Sequence, residues 1–143
     1  MLSNSSKYAL KAVLYLAVNS NENKKILAKD LSEPINVPKA YISKLLQELS
    51  RHNMVSSMRG PGGGFYLTAD NRSIHLMEII NVIDGENRLT SCMLSLGKCN
   101  ENNPCPLHKL LGDTKTNFVK NLEETTVQDL VLDIQEGNSF LPL

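Results

Sequence analysis

The sequence has no apolar run that approaches the roughly 18–20 residues of a membrane-spanning helix. Its opening residues, MLSNSSK, lack the charged-then-apolar order of a secretory signal. It has only 3 cysteines, and an odd number argues against a disulfide framework. It also has no internal repeat and no low-complexity segment. These absences predict a cytoplasmic protein that has no membrane partner.

The chain also has no net charge, because 15 Lys and Arg balance 15 Asp and Glu. The charges are nevertheless divided unevenly along the chain. Residues 1–67 carry nine basic and four acidic side chains, whereas the remainder carries six basic and eleven acidic ones. This asymmetry indicates a polyanionic partner for the first half alone, unless it is a chance division of solvated surface charge.

What the chain does contain is enough material for one small globular domain with an appendage. It has 143 residues, of which 41% are hydrophobic and 21% charged. That composition is typical of a folded protein and excludes wholesale disorder or a collagen-like repeat.

The first half has the helix order of a helix-turn-helix. Apolar residues recur at helical spacing from Ser6 to Val18 and again from Ile26 to Leu31. We expect the second helix to close before Pro34, because the residue preceding proline avoids helical angles. Pro38 suits the first turn of a third helix. The buried stripe of that helix would comprise Tyr41, Ile42, Leu45, Leu46 and Leu49.

Two short strands follow the third helix and make the predicted unit a winged helix. Residues 54–58 alternate like a strand, residues 65–67 form a second one, and the glycine-rich run from Arg59 to Gly64 lies between them as a hairpin tip. A phosphate-binding loop would require a helix after the glycines, so a nucleotide site is not expected here.

The rest of the chain is predicted to be helical except for one long loop. Ser73 can cap a fourth helix that ends near Gly85, and residues 88–106 then lose all periodicity. A long helix follows, and Thr125, paired with Gln128 in a capping box, or Thr126 starts a last one. A narrow stripe on the long helix, close to a heptad seam, consists of Leu107, Leu111, Thr114, Phe118 and Leu122.

The predicted fold class is therefore mainly α with a small β-hairpin wing: a winged helix-turn-helix plus a long helix. The expected parts are a winged helix-turn-helix DNA-binding domain at 1–85, a cysteine-rich loop at 86–106, the long helix and the C-terminal helix at 107–136, and a tail at 137–143.

The third helix and the wing contain the candidate DNA contacts. Recognition helices read base edges with their N-terminal half, and a slim tip beside a guanidinium can enter a minor groove. The alternative is that these are ordinary solvated positions, but the wing favours DNA. The candidates are Lys39, Ala40, Tyr41, Ser43, Lys44 and Gln47 on the helix and Arg59, Gly60, Pro61 and Gly62 on the wing.

The cysteines follow the pattern Cys92-x6-Cys99-x5-Cys105-x2-His108. Three thiolates and an imidazole can hold an iron–sulfur cluster or a zinc ion. Wide spacing without a C-x2-C pair favours the cluster. The alternatives are free thiols in a loose loop, or a Cys105–His108 nucleophile–base pair, which lacks an orienting third residue.

Taken together, these motifs resemble the Rrf2 family of bacterial winged-helix transcription regulators over roughly residues 2–135. The resemblance rests on Ser6-Lys7-Tyr8-Ala9, on Val37-Pro38-x-x-Tyr41-Ile42, on the segment from Val55 to Phe65, and on the cysteines with His108. It implies a homodimer on a pseudo-palindromic operator of double-stranded DNA. The two copies would pair along the long helix, which is then the dimerisation helix, through Leu107, Leu111, Phe118 and Leu122. The resemblance also implies that Cys92, Cys99, Cys105 and His108 are the ligands of an iron–sulfur cluster.

The resemblance further implies which cluster to expect. Nitric-oxide-sensing relatives have an acidic residue before the first-helix tyrosine, whereas Lys7 precedes Tyr8 here. This favours a 2Fe–2S cluster, with 4Fe–4S as the alternative. We therefore expect a non-enzymatic transcription regulator that senses cluster, redox or nitric oxide status. The alternatives are a cluster-free or zinc-bound thiol regulator, and a cluster or electron carrier that does not bind DNA.

Overall fold

The computed structural model describes all residues, 1–143, and consists of seven helices and one two-stranded antiparallel hairpin. This confirms the predicted fold class, mainly helical with a small β wing. In chain order the elements are α1 (Asn4–Asn19), α2 (Ala28–Ile35), α3 (Lys39–Arg51), β1 (Ser56–Met58), β2 (Gly64–Tyr66), α4 (Ala69–Arg72), α5 (Leu76–Asp84), α6 (His108–Glu124) and α7 (Val127–Gln135).

Helix α1 lies at the centre of the core. It begins at Ser3, whose hydroxyl accepts the backbone N–H of Ser6, and its small and branched residues let α3, α5 and α7 pack closely around it. Arg72 donates to the carbonyl of Ala17 at 2.6 Å and satisfies one of the last free carbonyls of α1. The fully buried residues of α1 are Ser6, Ala9, Ala12, Val13 and Leu16.

The last helix belongs to the same core as α1, α2, α3 and α5. Val127 and Val131 of α7 are fully buried in the cluster that includes α1 and α3. The winged-helix part therefore shares its core with residues far beyond position 85, and the expected domain boundaries stay a prediction. Helix α6, in contrast, has no fully buried residue, and no helix of the chain is both long and apolar enough to span a membrane.

Three local expectations were wrong. Helix α2 continues through Pro34 to Ile35, because the helical path buries Ile35 beside Leu31, and it ends at Asn36, whose φ is +59°. Ser73 caps no helix start, because it closes the short helix α4. The actual N-caps are Thr68 for α4 and His75 for α5. Thr126, one of the two expected starts, is the N-cap of α7, but its capping box is made with Asp129, so the expected Thr125–Gln128 box was wrong.

The wing is shorter than expected and is anchored to the helices by a third segment. Ser56, Ser57 and Met58 pair with Tyr66, Phe65 and Gly64 in antiparallel register. On the other edge, Ile26 and Phe65 form an isolated bridge. The chain between α1 and α2 therefore fixes the wing's position relative to the helix-turn-helix.

Candidate functional site

A groove of about 760 Å³ lies between the exposed side of α3 and the wing. It is open to solvent, and only 3 of the 13 residues that line it are hydrophobic, which suits a charged partner better than an apolar ligand. The ends of the two elements are held together by a hydrogen bond between the hydroxyls of Ser50 and Ser57 at 2.9 Å. Side chains that line the groove include Lys44, Gln47, Glu48 and Arg51 from α3 and Arg59 from the wing.

The structure places most of the expected helix contacts on the surface. Lys39, Ala40, Lys44 and Gln47 are exposed on the side of α3 away from the core, and Ser43 is half-buried. Tyr41 instead has internal contacts. Its hydroxyl lies 2.7 Å from that of Ser5, and its ring meets the ring of Tyr8 edge to face at 5.9 Å. Tyr41 thus joins α3 to α1, and its contact with DNA stays a prediction.

The wing exposes the residues that sequence analysis selected and explains a glycine that it did not. Arg59, Gly60, Pro61 and Gly62 are all exposed at the tip. A Cβ on Gly63 would lie 2.3 Å from the carbonyl oxygen of Met58, so the tight turn itself excludes a side chain there. The glycine run is therefore partly a structural requirement of the hairpin, while the guanidinium of Arg59 stays available to a partner.

Two charged residues in the groove were not predicted from the sequence. Glu48 and Arg51 form an ion pair on α3, and Glu48 also lies 3.3 Å from His52. The hydrogen bond from Arg51 is the main cause that holds the pKa of Glu48 below its usual value. The missed signal was helical spacing: positions 44, 48 and 51 continue one face by steps of four and three.

The cysteine segment, residues 86–106, contains a small closed hairpin. Ser91 and Lys98 form an isolated antiparallel bridge, and the backbone N–H of Cys92 donates to the carbonyl of Gly97 at 2.9 Å. Cys92 and Cys99 therefore lie near the two arms of this hairpin. Cys105 follows just before α6, where its carbonyl accepts the backbone N–H of His108 at 2.9 Å.

The four candidate ligands approach one another as two pairs. The sulfur atoms of Cys92 and Cys105 lie 3.6 Å apart, and the sulfur of Cys99 lies 2.9 Å from Nδ1 of His108. Cys99, Cys105 and His108 also line one small cavity against α6. The side chains do not form a group of three or more arranged around a single metal ion. The structure thus brings all four donors together locally, but in two pairs.

Local hydrogen bonds lower the pKa of the Cys92 thiol to about 6. The largest contributions come from the backbone N–H groups of Leu94 and Ser95, followed by the Ser95 hydroxyl and the thiol of Cys105, all of which stabilise the thiolate. The thiolate form of Cys92 therefore predominates at neutral pH, and the thiolate is the form that binds metal and reacts with oxidants.

The expected dimerisation residues lie on α6 in two environments. Leu107 and Leu111 are half-buried beside the cysteine segment and line the same small cavity as His108. Phe118 and Leu122 pack against Met77, Ile80 and Leu89 of their own chain. Their assignment to a dimer interface stays a prediction, and Phe118 and Leu122 also stabilise the single chain.

Comparison with known proteins agrees with this architecture. The Rrf2 model, described as an iron-dependent transcriptional regulator, matches residues 2–133. The chain is 36% identical over 138 residues to the HTH-type transcriptional regulator IscR of Escherichia coli K12, covering 93% of this chain and 84% of that one. It is 35% identical to IscR of Citrobacter koseri, covering 94% and 85%.

Two solved structures share the fold. CymR, the global cysteine regulator of B. subtilis, superposes with a TM-score of 0.74 at 22% identity, covering 92% of this chain and 96% of that one. IscR of T. potens gives a TM-score of 0.72 at 21% identity, covering 98% and 92%. Because the family model spans nearly the whole chain, and relatives above 30% identity cover most of it, this protein belongs to the Rrf2 family of winged-helix transcriptional regulators.

Proposed function

We propose that the chain acts as a homodimer, binds a pseudo-palindromic operator in double-stranded DNA, and regulates transcription in response to an iron–sulfur cluster. The ligands would be Cys92, Cys99, Cys105 and His108, and a 2Fe–2S cluster is favoured over 4Fe–4S. The signal would be cluster, redox or nitric oxide status. The protein would be a regulator and not an enzyme.

The observation that carries this proposal is the meeting of four donors at the start of α6. Residues that are 13 and 9 positions apart in sequence form the Cys92–Cys105 and Cys99–His108 pairs. Three thiols and one imidazole are a donor set that suits iron–sulfur ligation. A 2Fe–2S cluster needs two protein ligands on each iron, and two pairs of donors fit that requirement. The residues present therefore fit the group.

A bound cluster would supply a redox-active group whose presence depends on iron supply and on oxidants. The chain's own contribution is to connect this site to the DNA-binding unit. His108 lies on the first turn of α6, and the three cysteines lie on the segment that joins α5 to α6. Ligation by these residues would shorten and stiffen that segment. It would thereby change the angle between α6 and the winged-helix body.

Such a change matters because of how a dimer reads DNA. The exposed part of α3 would enter a major groove, and the Arg59 tip would enter the adjacent minor groove. In a dimer, two half-sites must lie about 34–36 Å apart for each helical turn of DNA, so a small change in angle alters the fit. The basic first half of the chain would favour the phosphate backbone.

The two parts of the proposal can be separated by two variants. Cluster content is measured by iron and sulfide analysis, and binding to genomic DNA fragments by fluorescence anisotropy at several salt concentrations. We expect Cys99→Ser to lose the cluster but remain a folded dimer, and Arg59→Ala to lose DNA affinity but keep the cluster. Full iron content in Cys99→Ser would refute the ligand set. DNA binding that shows no salt dependence would refute the operator model.

One observation favours a second candidate, a cluster-free thiol regulator. Cys92 and Cys105 lie 3.6 Å apart, and Cys92 has a lowered pKa of about 6. A peroxide or a low-molecular-weight disulfide could oxidise this pair to a disulfide, removing two electrons and two protons from the two thiols. Mass spectrometry of oxidised, cluster-free protein would detect this crosslink, and DNA binding that tracks the crosslink rather than iron would favour this function.

A further inference from the structure

Helix α6 holds the cysteine segment through a lysine that the proposed ligand set does not include. The ammonium group of Lys115 donates to the backbone carbonyl of Thr90 at 3.0 Å and to that of Ser91. Ser91 immediately precedes Cys92. A side chain on α6 therefore fixes the two residues that precede the first cysteine.

Few other contacts tether this segment. Of residues 86–106 only Leu89 is buried, whereas Met93, Leu94 and Leu96 are exposed. Apart from the Cys99–His108 contact, Lys115 provides the only side-chain hydrogen bonds between the segment and α6. A segment with so little apolar burial depends strongly on its remaining polar contacts for a defined position.

Lys115 also lies on the side of α6 that faces the proposed ligands. Positions 108, 112 and 115 differ by four and three residues and so share one helix face. Lys115 lines the same small cavity as Cys99, Cys105 and His108. Between Lys115 and His108 lies Gly112, where an added Cβ would come within 3.9 Å of the imidazole Nε2. Lys115 therefore lies among the residues that surround the proposed ligands.

We propose that Lys115 is a positioning residue for the cysteine segment. We also propose that its positive charge raises the reduction potential of the anionic group that the cysteines hold. This inference rests on the proposed function. Lys115 holds Ser91 against α6 and thereby keeps Cys92 beside Cys105. Groups outside the ligand set that orient the ligands commonly affect metal affinity about 10–100-fold.

The charge of Lys115 leads to a second, separable effect. Three thiolates give a 2Fe–2S centre with one imidazole ligand a net negative charge, which increases by one when the centre accepts one electron. A nearby ammonium stabilises the more negative, reduced state. Removing the charge should therefore lower the reduction potential, an effect that a purely structural tether would not produce.

The experiment compares Lys115→Met, Lys115→Gln and Lys115→Arg with Lys120→Met as the control. Lys120 lies on the same helix, is 62% exposed and pairs only with Glu124. Three properties are measured: amide hydrogen exchange of residues 90–98 in cluster-free protein, the rate of iron loss to a chelator after reconstitution, and the midpoint potential of the reconstituted protein.

We expect Lys115→Met to exchange faster at residues 90–98, to lose iron roughly tenfold faster and to have a more negative potential. Lys115→Arg should restore all three properties. Lys115→Gln keeps a donor without the charge, so its potential should resemble that of Lys115→Met while its exchange is nearer to wild type. Lys120→Met should match wild type throughout.

The inference would be overturned if Lys115→Met matched the wild-type protein in hydrogen exchange at residues 90–98, in the rate of iron loss and in midpoint potential. If Lys120→Met lowered the midpoint potential as much as Lys115→Met, the charge effect would not be specific to Lys115, and that part of the inference would be overturned. If wild-type protein takes up no iron after reconstitution, the proposed function fails, and hydrogen exchange of the cluster-free variants still decides whether Lys115 positions the segment.

Discussion

Ile26 and Phe65 exchange both of their backbone hydrogen bonds: the N–H of Ile26 donates to Phe65 at 2.9 Å, and the N–H of Phe65 donates to Ile26 at 2.7 Å. Through this bridge Ile26, which precedes α2, pairs with the wing on the free edge of β2. Because α2 leads directly into α3, the bridge also sets where the wing lies relative to the candidate reading helix. Close backbone approach at this point depends on Gly64.

Replacing Gly64 with alanine should therefore destabilise the protein. Gly64 has a φ of +139°, and an added Cβ would lie 2.8 Å from the carbonyl oxygen of Ile26. We expect Gly64→Ala to lower the free energy of unfolding by about 2–4 kcal/mol, because steric contact and backbone strain add. Gly62→Ala is the control, since it has positive φ but open space, and should cost about 1 kcal/mol. Equal losses in urea denaturation would refute this explanation.

The ion pair between Glu48 and Arg51 should weaken DNA binding by the wild-type protein. Its carboxylate neutralises a guanidinium that lines the groove. We expect Glu48→Gln to bind DNA more tightly and with a salt dependence steeper by about one phosphate contact, because Arg51 becomes free. Anisotropy titrations at several salt concentrations measure this. Glu124→Gln also removes a carboxylate with a cationic partner, but outside the groove, and should leave both quantities unchanged. Weaker binding by Glu48→Gln would show instead that Glu48 contacts the DNA favourably.

Arg59 should contribute to DNA binding without affecting the cysteine segment. It is exposed at the wing tip, so its removal leaves the fold intact. We expect Arg59→Ala to weaken operator binding by roughly 1–3 kcal/mol, with an unchanged absorption spectrum of the reconstituted protein. Unchanged affinity in the same titration would refute the assignment of the wing to a minor groove.

The Cys92 thiol should stay reactive in mildly acidic solution. Its pKa of about 6 lies below the usual value, so the reactive thiolate dominates above pH 6 and is lost as the pH falls below it. Iodoacetamide alkylation of cluster-free protein, followed peptide by peptide by mass spectrometry, should reach half its maximal rate at Cys92 near pH 6. Ser95→Ala should move this midpoint upward, because one donor to the thiolate is lost. A midpoint near the roughly 8.5 of an ordinary thiol would contradict the hydrogen-bond pattern.

Features set by local sequence could be predicted, and those set by distant contacts could not. The helix-turn-helix and the wing follow from hydrophobic periodicity and from glycine at the tip, and both are confirmed. Ser73 failed as a cap because Thr68 and His75, on either side, make the capping contacts instead. Likewise, Pro34 ends no helix, because burial of Ile35 outweighs the local preference.

The candidate site shows the same division. Spacing alone selected the three cysteines and His108, which the fold brings into two pairs. Lys115 carried no signal in the sequence, because its partners are backbone carbonyls more than twenty residues earlier. Tyr41 was expected both in the buried stripe of α3 and at the DNA, and its contact with DNA stays a prediction. Its contacts with Ser5 and Tyr8 could not be predicted, because they depend on how α1 and α3 pack.

The most direct test of the central claim is an analysis of iron, acid-labile sulfide and zinc per protomer in protein purified without oxygen. A cluster held by Cys92, Cys99, Cys105 and His108 predicts about two irons and about two sulfides without zinc. About four of each would keep the regulator but contradict the 2Fe–2S assignment. Zinc alone, or no metal even after attempted reconstitution, would contradict the cluster model and leave a winged-helix DNA binder with a different trigger.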